Sequence, residues 1–217
     1  MQHSQTAKTR SLVEVSLFSA IVVALAFMPF VGYIPLGFTR ATTVHIPVIL
    51  ASILLGPKKG GFIGLVFGLT SLWKNTFEPT LTSFTFSPFY AGGNMWSLVI
   101  CLVPRILVGV VPHYVFRLGK RLAKGAESLP LIVAGLAGSL TNTLLVMNGI
   151  YIFFGSGYAM ANADKIAQQG TTLYGFILGI IGLNGVPEAI VAALITAAVG
   201  KALLHVLGDR QAGTKPL

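Results

Sequence analysis

Residues 45–71 read HIPVILASILLGPKKGGFIGLVFGLTS, two apolar runs separated by a short basic turn. Between the two runs, GPKKGG at 56–61 is a short, basic inner loop. Lys58 and Lys59 supply its charge, as basic residues do at the cytoplasmic end of a membrane span. The pattern predicts one helix arriving at the inner surface and a second returning from it.

The same alternation extends outward in both directions. Of fifteen Lys and Arg residues, eleven lie in clusters or ends: Lys8 and Arg10; Lys58 and Lys59; Arg117, Lys120, Arg121 and Lys124; and Lys201, Arg210 and Lys215. Long apolar stretches separate them. The positive-inside rule then gives an all-α membrane protein with six transmembrane helices and both termini cytoplasmic. Spans are expected over about Ser11–Val31, Thr43–Gly56, Gly61–Phe77, Met95–Leu118, Pro130–Phe154 and Leu173–Leu207, within one integral membrane domain covering residues 1–217. The second span is short for a hydrocarbon core of about 30 Å. Tilting, unwinding near Pro47, or extension by loop residues would each accommodate it.

Composition agrees. The 217 residues are 54% hydrophobic and only 10% charged, with a mean hydropathy of +0.80. A soluble domain carries about 25% charged residues. The net charge of +9 comes from residues that cap apolar segments, which argues against nucleic-acid binding. Cys101 is alone in an apolar run, which leaves no internal disulfide and no thiol metal cluster. Ala24-Leu25-Ala26 resembles a signal-peptide cleavage site, but apolar residues continue through Val31, and the segment is retained as a span.

Absent motifs narrow the function. GPKKGG at 56–61 does not match a P-loop, and neither H-E-x-x-H nor G-x-S-x-G occurs. The six acids include no pair placed for general acid–base work. These features disfavour an enzyme and supply no metal or cofactor site.

The remaining basic residues, Arg40, Lys74, Arg105 and Lys165, lie in the alternate loops or within apolar segments. Arg105 falls about 15 Å into its span, Asn184 about 16 Å into its own, and Asn142 about 18 Å from the opposite side. All three reach mid-membrane depth. A buried Arg must face protein or water and have a partner. Glu188, four residues after Asn184 on one helix face, offers an ion pair; a ligand carboxylate is the alternative. Asn142 and Asn184 would then bond ligand amides or hydroxyls. Trp73 and Lys74 stand at the outer end of the third span, where anchoring and snorkelling compete with a ligand role. Thr43 and His45 open the second span; Thr43 is a candidate ligand contact, and a lone His is ordinarily a packing residue.

Outer loops are expected over 31–42, 78–94 and 155–172. The middle one holds Phe84, Phe86, Phe89 and Tyr90, as interfacial anchors or as a lid from which Tyr90 reaches a ligand. Small residues recur at four-residue spacing: Ser16, Ala20 and Ala24; Gly60, Gly64 and Gly68; Ala134 and Gly138; Gly175 and Gly179. Such faces let membrane helices approach closely.

Six short spans, the Ser16–Ala20–Ala24 face, and the run at 45–71 followed by PRILVG at 104–109 resemble the substrate-binding S component of an energy-coupling factor vitamin transporter. The resemblance covers nearly the whole chain. It implies a subunit of the cell membrane that binds a small-molecule vitamin within the lipid bilayer. It also implies partners: a membrane-embedded coupling subunit (the T component) and two cytoplasmic ATPases, whose cycle topples the subunit to deliver its ligand. The first-helix face would contact the coupling subunit, and the outer loops would gate the pocket. The chain most resembles the pantothenate-specific members, whose Trp, Arg and Asn fall at Trp73, Arg105 and Asn142. Subunits for riboflavin, pyridoxine or a thiamine precursor, and a standalone secondary carrier, are the alternatives.

Overall fold

The computed structural model describes the backbone of residues 2–28, 33–35, 40–123 and 128–212, with side chains over 8–28, 42–123 and 128–206. Lys124, Lys215 and half of the first outer loop lie outside the described residues, as do the side chains of Arg40 and Arg210.

Helix α1 (Gln2–Phe27) buries Val22 and Ala26 and packs Val15, Phe18 and Leu25 beside them. These positions repeat every three to four residues, which makes one helical face. The helix stops at Phe27, short of the expected Val31, because Pro29 disfavours helical geometry before it. Strands β1 (Tyr33–Pro35) and β2 (Arg40–Thr42) form a small antiparallel ribbon.

Helix α2 (His45–Leu55) is only eleven residues, about 16 Å long. It is buried continuously from His45 to Ile53, as befits a helix apolar all round. Its shortness is therefore met by enclosure within the bundle. Pro47 does not unwind it, because it sits in the first turn, where no N–H is required. One residue turns the chain: Gly56 adopts φ +91°, a region that L side chains rarely enter. Pro57 then opens α3 (Pro57–Phe77) at a position suited to its fixed φ.

The fourth expected span is two helices, α4 (Met95–Val108) and α5 (Val111–Leu122), interrupted at Gly109-Val110. Helix α6 (Ser128–Ala161) bends at Phe154, where φ is −130° and ψ 16°. It continues well beyond the expected end, and α7 (Ala163–Gln168) follows. The loop expected over 155–172 is thus largely helical. The last expected span is α8 (Leu173–Ile180), a five-residue π turn (181–185) and α9 (Val186–Ala212). Pro187 accounts for the interruption: it cannot donate to the Leu183 carbonyl, and its ring crowds that oxygen. The wider turn alters the four-residue register that aligned Asn184 with Glu188.

Among the described residues, four helical stretches are long and apolar enough to cross a membrane: Lys8–Phe27, Met95–Leu122, Ser128–Ala161 and Leu173–Val206. Between helices in lipid there is little hydrophobic driving force, so close packing carries the association. Gly60, Gly64 and Gly68 provide it. A Cβ at Gly64 would strike the Arg105 carbonyl, one at Gly60 the Gly109 carbonyl, and one at Gly68 the Leu102 side chain. Gly138 receives Ile49 and Pro112, while Gly135 receives Ala193. The Gly175–Gly179 pair does not serve this purpose, because nothing lies near a Cβ at Gly179.

Two packed clusters result. One joins α1, α2, α3, α6 and α9 around Ile49, Ile63, Phe67, Leu131 and Ala192. The other joins the 78–94 segment to α4, α6 and α8 around Phe84, Ile100, Ile150, Phe154 and Phe176. Buried polar side chains lie where these clusters meet.

Candidate functional site

Arg105 is 7% exposed, deep in α4. Its neighbour explains how it is held. Pro104 has no N–H, so the Ile100 carbonyl lacks its usual helical donor. Arg105 supplies one, with Nη1 donating to Ile100 O at 2.9 Å. The guanidinium also lies over the rings of Phe67 (5.6 Å) and Phe86 (5.1 Å). Its Nε–H is buried without a hydrogen-bond partner. Among the described residues it makes no salt bridge.

The Arg105–Glu188 ion pair left open by the sequence is not formed. Glu188 instead accepts the Thr42 backbone N–H at 2.7 Å and lies 3.6 Å from His45 Nδ1. Arg105 is therefore a buried cation with two aromatic faces and one carbonyl around it. Such a charge is costly in a membrane unless an anion joins it.

Other buried polar atoms are unsatisfied as well: both ring nitrogens of His45, Asn142 Oδ1 and Ser139 Oγ. Helix register brings several of them to one level. Ile49 of α2 touches Gly138 of α6. One turn further, on these oppositely running helices, stand His45 and Asn142. On the other side, Gly60 meets Ser52 and Gly64 meets the Arg105 backbone. The Arg105 head, extended back to Phe67 and Ile100, is about one turn beyond Gly64, level with His45. Helices α2, α4, α6 and α9 thus direct Arg105, His45, Asn142 and Glu188 toward one region. Its unmet capacity is a cationic donor at Arg105, an acceptor at Asn142, and one donor and one acceptor on neutral His45.

The segment 78–94 covers this region. Phe84 is buried against Phe154, with ring centroids 5.7 Å apart, and Phe86 reaches the guanidinium. Of its aromatics, Phe89 alone is largely exposed, at 77%, in the manner of an anchor. Tyr90 is half-buried against the second cluster. Hydrogen bonds pin the segment at both ends. Ser83 Oγ donates to Asn75 Oδ1 at 2.9 Å, and Thr76 and Ser87 hydroxyls meet at 2.7 Å. At α4, Asn94 caps the helix, and Ser97 Oγ donates to Phe84 O at 2.7 Å.

The remaining candidates make other contacts. Trp73 is 55% exposed and packs on Phe77. Lys74 pairs with Glu78 at 3.4 Å. Asn184, in the π turn, donates from Nδ2 to Ile180 O at 3.3 Å. Thr43 is half-buried just before His45. Ser16, Ala20 and Ala24 are all exposed on α1 among the described residues. The sequence underrated His45; its signal was a polar ring opening a helix otherwise apolar and too short to face lipid. Phe67 and Phe86 gave no individual signal, because an aromatic beside a buried Arg is visible only in three dimensions.

Comparison with known proteins agrees with this architecture. The family described as "ECF transporter, substrate-specific component" matches residues 10–200. The pantothenic acid transporter PanT of Lactococcus lactis subsp. cremoris is 36% identical over 204 residues, covering 90% of this chain and 94% of that protein. The pantothenate transporter PanT of Leuconostoc mesenteroides subsp. mesenteroides is 31% identical over 206 residues, covering 92% and 94%. With most of its length matched and its long apolar helices in place, the chain belongs to the substrate-specific component family of ECF transporters and is a multi-pass membrane protein.

Proposed function

We propose that this chain captures pantothenate from outside the cell as the binding subunit of an energy-coupling factor importer. The observation that carries the ligand assignment is the buried, unpaired Arg105 guanidinium beside unsatisfied acceptors. That set calls for an anion that also brings hydrogen-bond donors. Pantothenate has a carboxylate, an amide N–H and hydroxyls. Arg105 takes the carboxylate as a charge-assisted donor, and Asn142 accepts from the amide or a hydroxyl. The names of both relatives support the same vitamin.

In this reading the chain is one integral membrane domain with six spans: α1, α2, α3, α4 with α5, α6, and α8 with α9. Both termini are cytoplasmic, as the lysines of the α2–α3 turn and the basic end of α5 suggest. Thr43, Tyr90 and Asn184 border the ligand, while Trp73 and Lys74 anchor the outer end of α3. The 78–94 segment opens to admit the vitamin and closes over it. The chain performs no catalysis. Its exposed Ser16–Ala20–Ala24 face docks on a membrane coupling subunit, and two partner ATPases drive the toppling that releases ligand inward.

The test is equilibrium binding of labelled pantothenate to the purified protein, with riboflavin and pyridoxine as competitors. Saturable binding displaced by pantothenate alone supports the assignment. Absence of binding, or equal displacement by either competitor, rejects it.

A further inference from the structure

We infer that His45 is a specificity-determining ligand contact that accepts a hydrogen bond from a substrate hydroxyl or amide, and that Glu188 is the positioning residue that orients it. This rests on reading the buried polar set as the ligand site.

His45 is 1% exposed, and neither ring nitrogen has a hydrogen-bond partner. An imidazole buried so completely loses its water, and Glu188 at 3.6 Å and the nearby Thr42 backbone replace it only in part. Its setting fixes which group completes it. Nδ1 faces Glu188 Oε1 at 3.6 Å. Where that carboxylate is ionised it only accepts, and the proton then sits on Nδ1. Nε2 is then a bare acceptor, and its complement on the ligand is a donor. Asn142 Oδ1, one level away on α6, is a second unmet acceptor. Arg105 takes charge; His45 and Asn142 read donors.

Glu188 does more than face the ring. The same oxygen accepts the backbone N–H of Thr42, the last residue of β2. One carboxylate oxygen therefore joins three elements: α9, the ribbon of the first outer loop, and the imidazole.

The experiment measures affinity of the full-length purified protein and its His45→Ala, His45→Gln and Glu188→Gln variants. The ligands are pantothenate, analogues with each hydroxyl replaced by hydrogen, and an analogue with the amide nitrogen methylated. The native protein is expected to bind one analogue about 10- to 100-fold more weakly than pantothenate, the loss when a buried acceptor is stranded. His45→Ala lowers pantothenate affinity by a similar factor and closes the gap for that analogue to about twofold or less. Glu188→Gln and His45→Gln narrow the same gap. Thermal melting of each variant establishes folding, and should His45→Ala fail to fold, the other two carry the result. Equal loss for every ligand indicates a merely structural histidine and overturns the inference, as does an unchanged gap. If the native protein fails to bind pantothenate at all, the ligand assignment falls and this inference with it.

Discussion

The guanidinium of Arg105 completes the hydrogen bonding of Ile100, five residues earlier in the same helix, at 2.9 Å. Pro104 creates the vacancy and Arg105 fills it. A single dipeptide thus both frees a backbone carbonyl within an apolar helix and folds a cation back to occupy it. This holds the Arg105 head toward Phe67 and Phe86 rather than letting it reach for an interface.

Pro104→Ala should separate stability from binding. The new N–H restores the helical bond to Ile100, so the melting temperature holds or rises, by up to about 3 kcal/mol of helix stability. The guanidinium then loses its tether, and pantothenate affinity falls about tenfold, the worth of one hydrogen bond to a charged group. Thermal melting and titration of the same preparation read both effects.

Gly64→Leu should act on Arg105 without touching it. Any side chain at 64 collides with the Arg105 backbone carbonyl, so α4 must move away from α3. We expect a loss of about 1–3 kcal/mol, typical of overpacking, together with weakened ligand binding. A variant that melts and binds like the native protein would mean that the α3–α4 contact is looser than described.

Asn75→Ala tests the cover. Asn75 Oδ1 receives the Ser83 hydroxyl and fixes the segment that carries Phe84 and Phe86. Without it the segment opens more readily, and ligand dissociation accelerates about fivefold, equivalent to about 1 kcal/mol. Stopped-flow displacement of bound pantothenate measures the rate.

Ala20→Leu and Ala24→Leu address the exposed face of α1. These residues are exposed in the described bundle, so affinity of the isolated subunit should stay within about twofold. Uptake by the subunit reconstituted with its coupling subunit and ATPases should fall severely, because bulky groups prevent close helix approach. Equal loss of binding and uptake would remove the interface role.

Much of this arrangement was legible in the sequence, for identifiable reasons. Long apolar runs, the basic inner loop at 56–61 and the glycine face of α3 are local signals whose physics does not depend on tertiary context. Arg105 and Asn142 stood out because polar groups in apolar helices are costly. The rest depended on packing. The 155–172 segment contains glycines that weaken a helix by about 1 kcal/mol each, yet Phe154 and Tyr158 pack there against the second cluster and sustain it. Pro187 carried a signal for the π turn, but not for which residue the widened turn would displace. Charge and helix face offered Glu188 as one of two partners for Arg105, whereas the backbone N–H of Thr42 holds its carboxylate instead. His45 could not be told from a packing histidine until both its nitrogens were seen to lack partners.

In the proposed site, Arg105 recognises the carboxylate of the ligand. The most direct test compares pantothenate with its neutral alcohol analogue, in which the carboxylate is replaced by a hydroxymethyl group, on native protein and on Arg105→Ala. The account predicts that native protein binds the acid at least about 100-fold more tightly than the alcohol, and that Arg105→Ala, still folded, no longer distinguishes them. Equal binding of acid and alcohol by the native protein, or a preference that survives in Arg105→Ala, would contradict it.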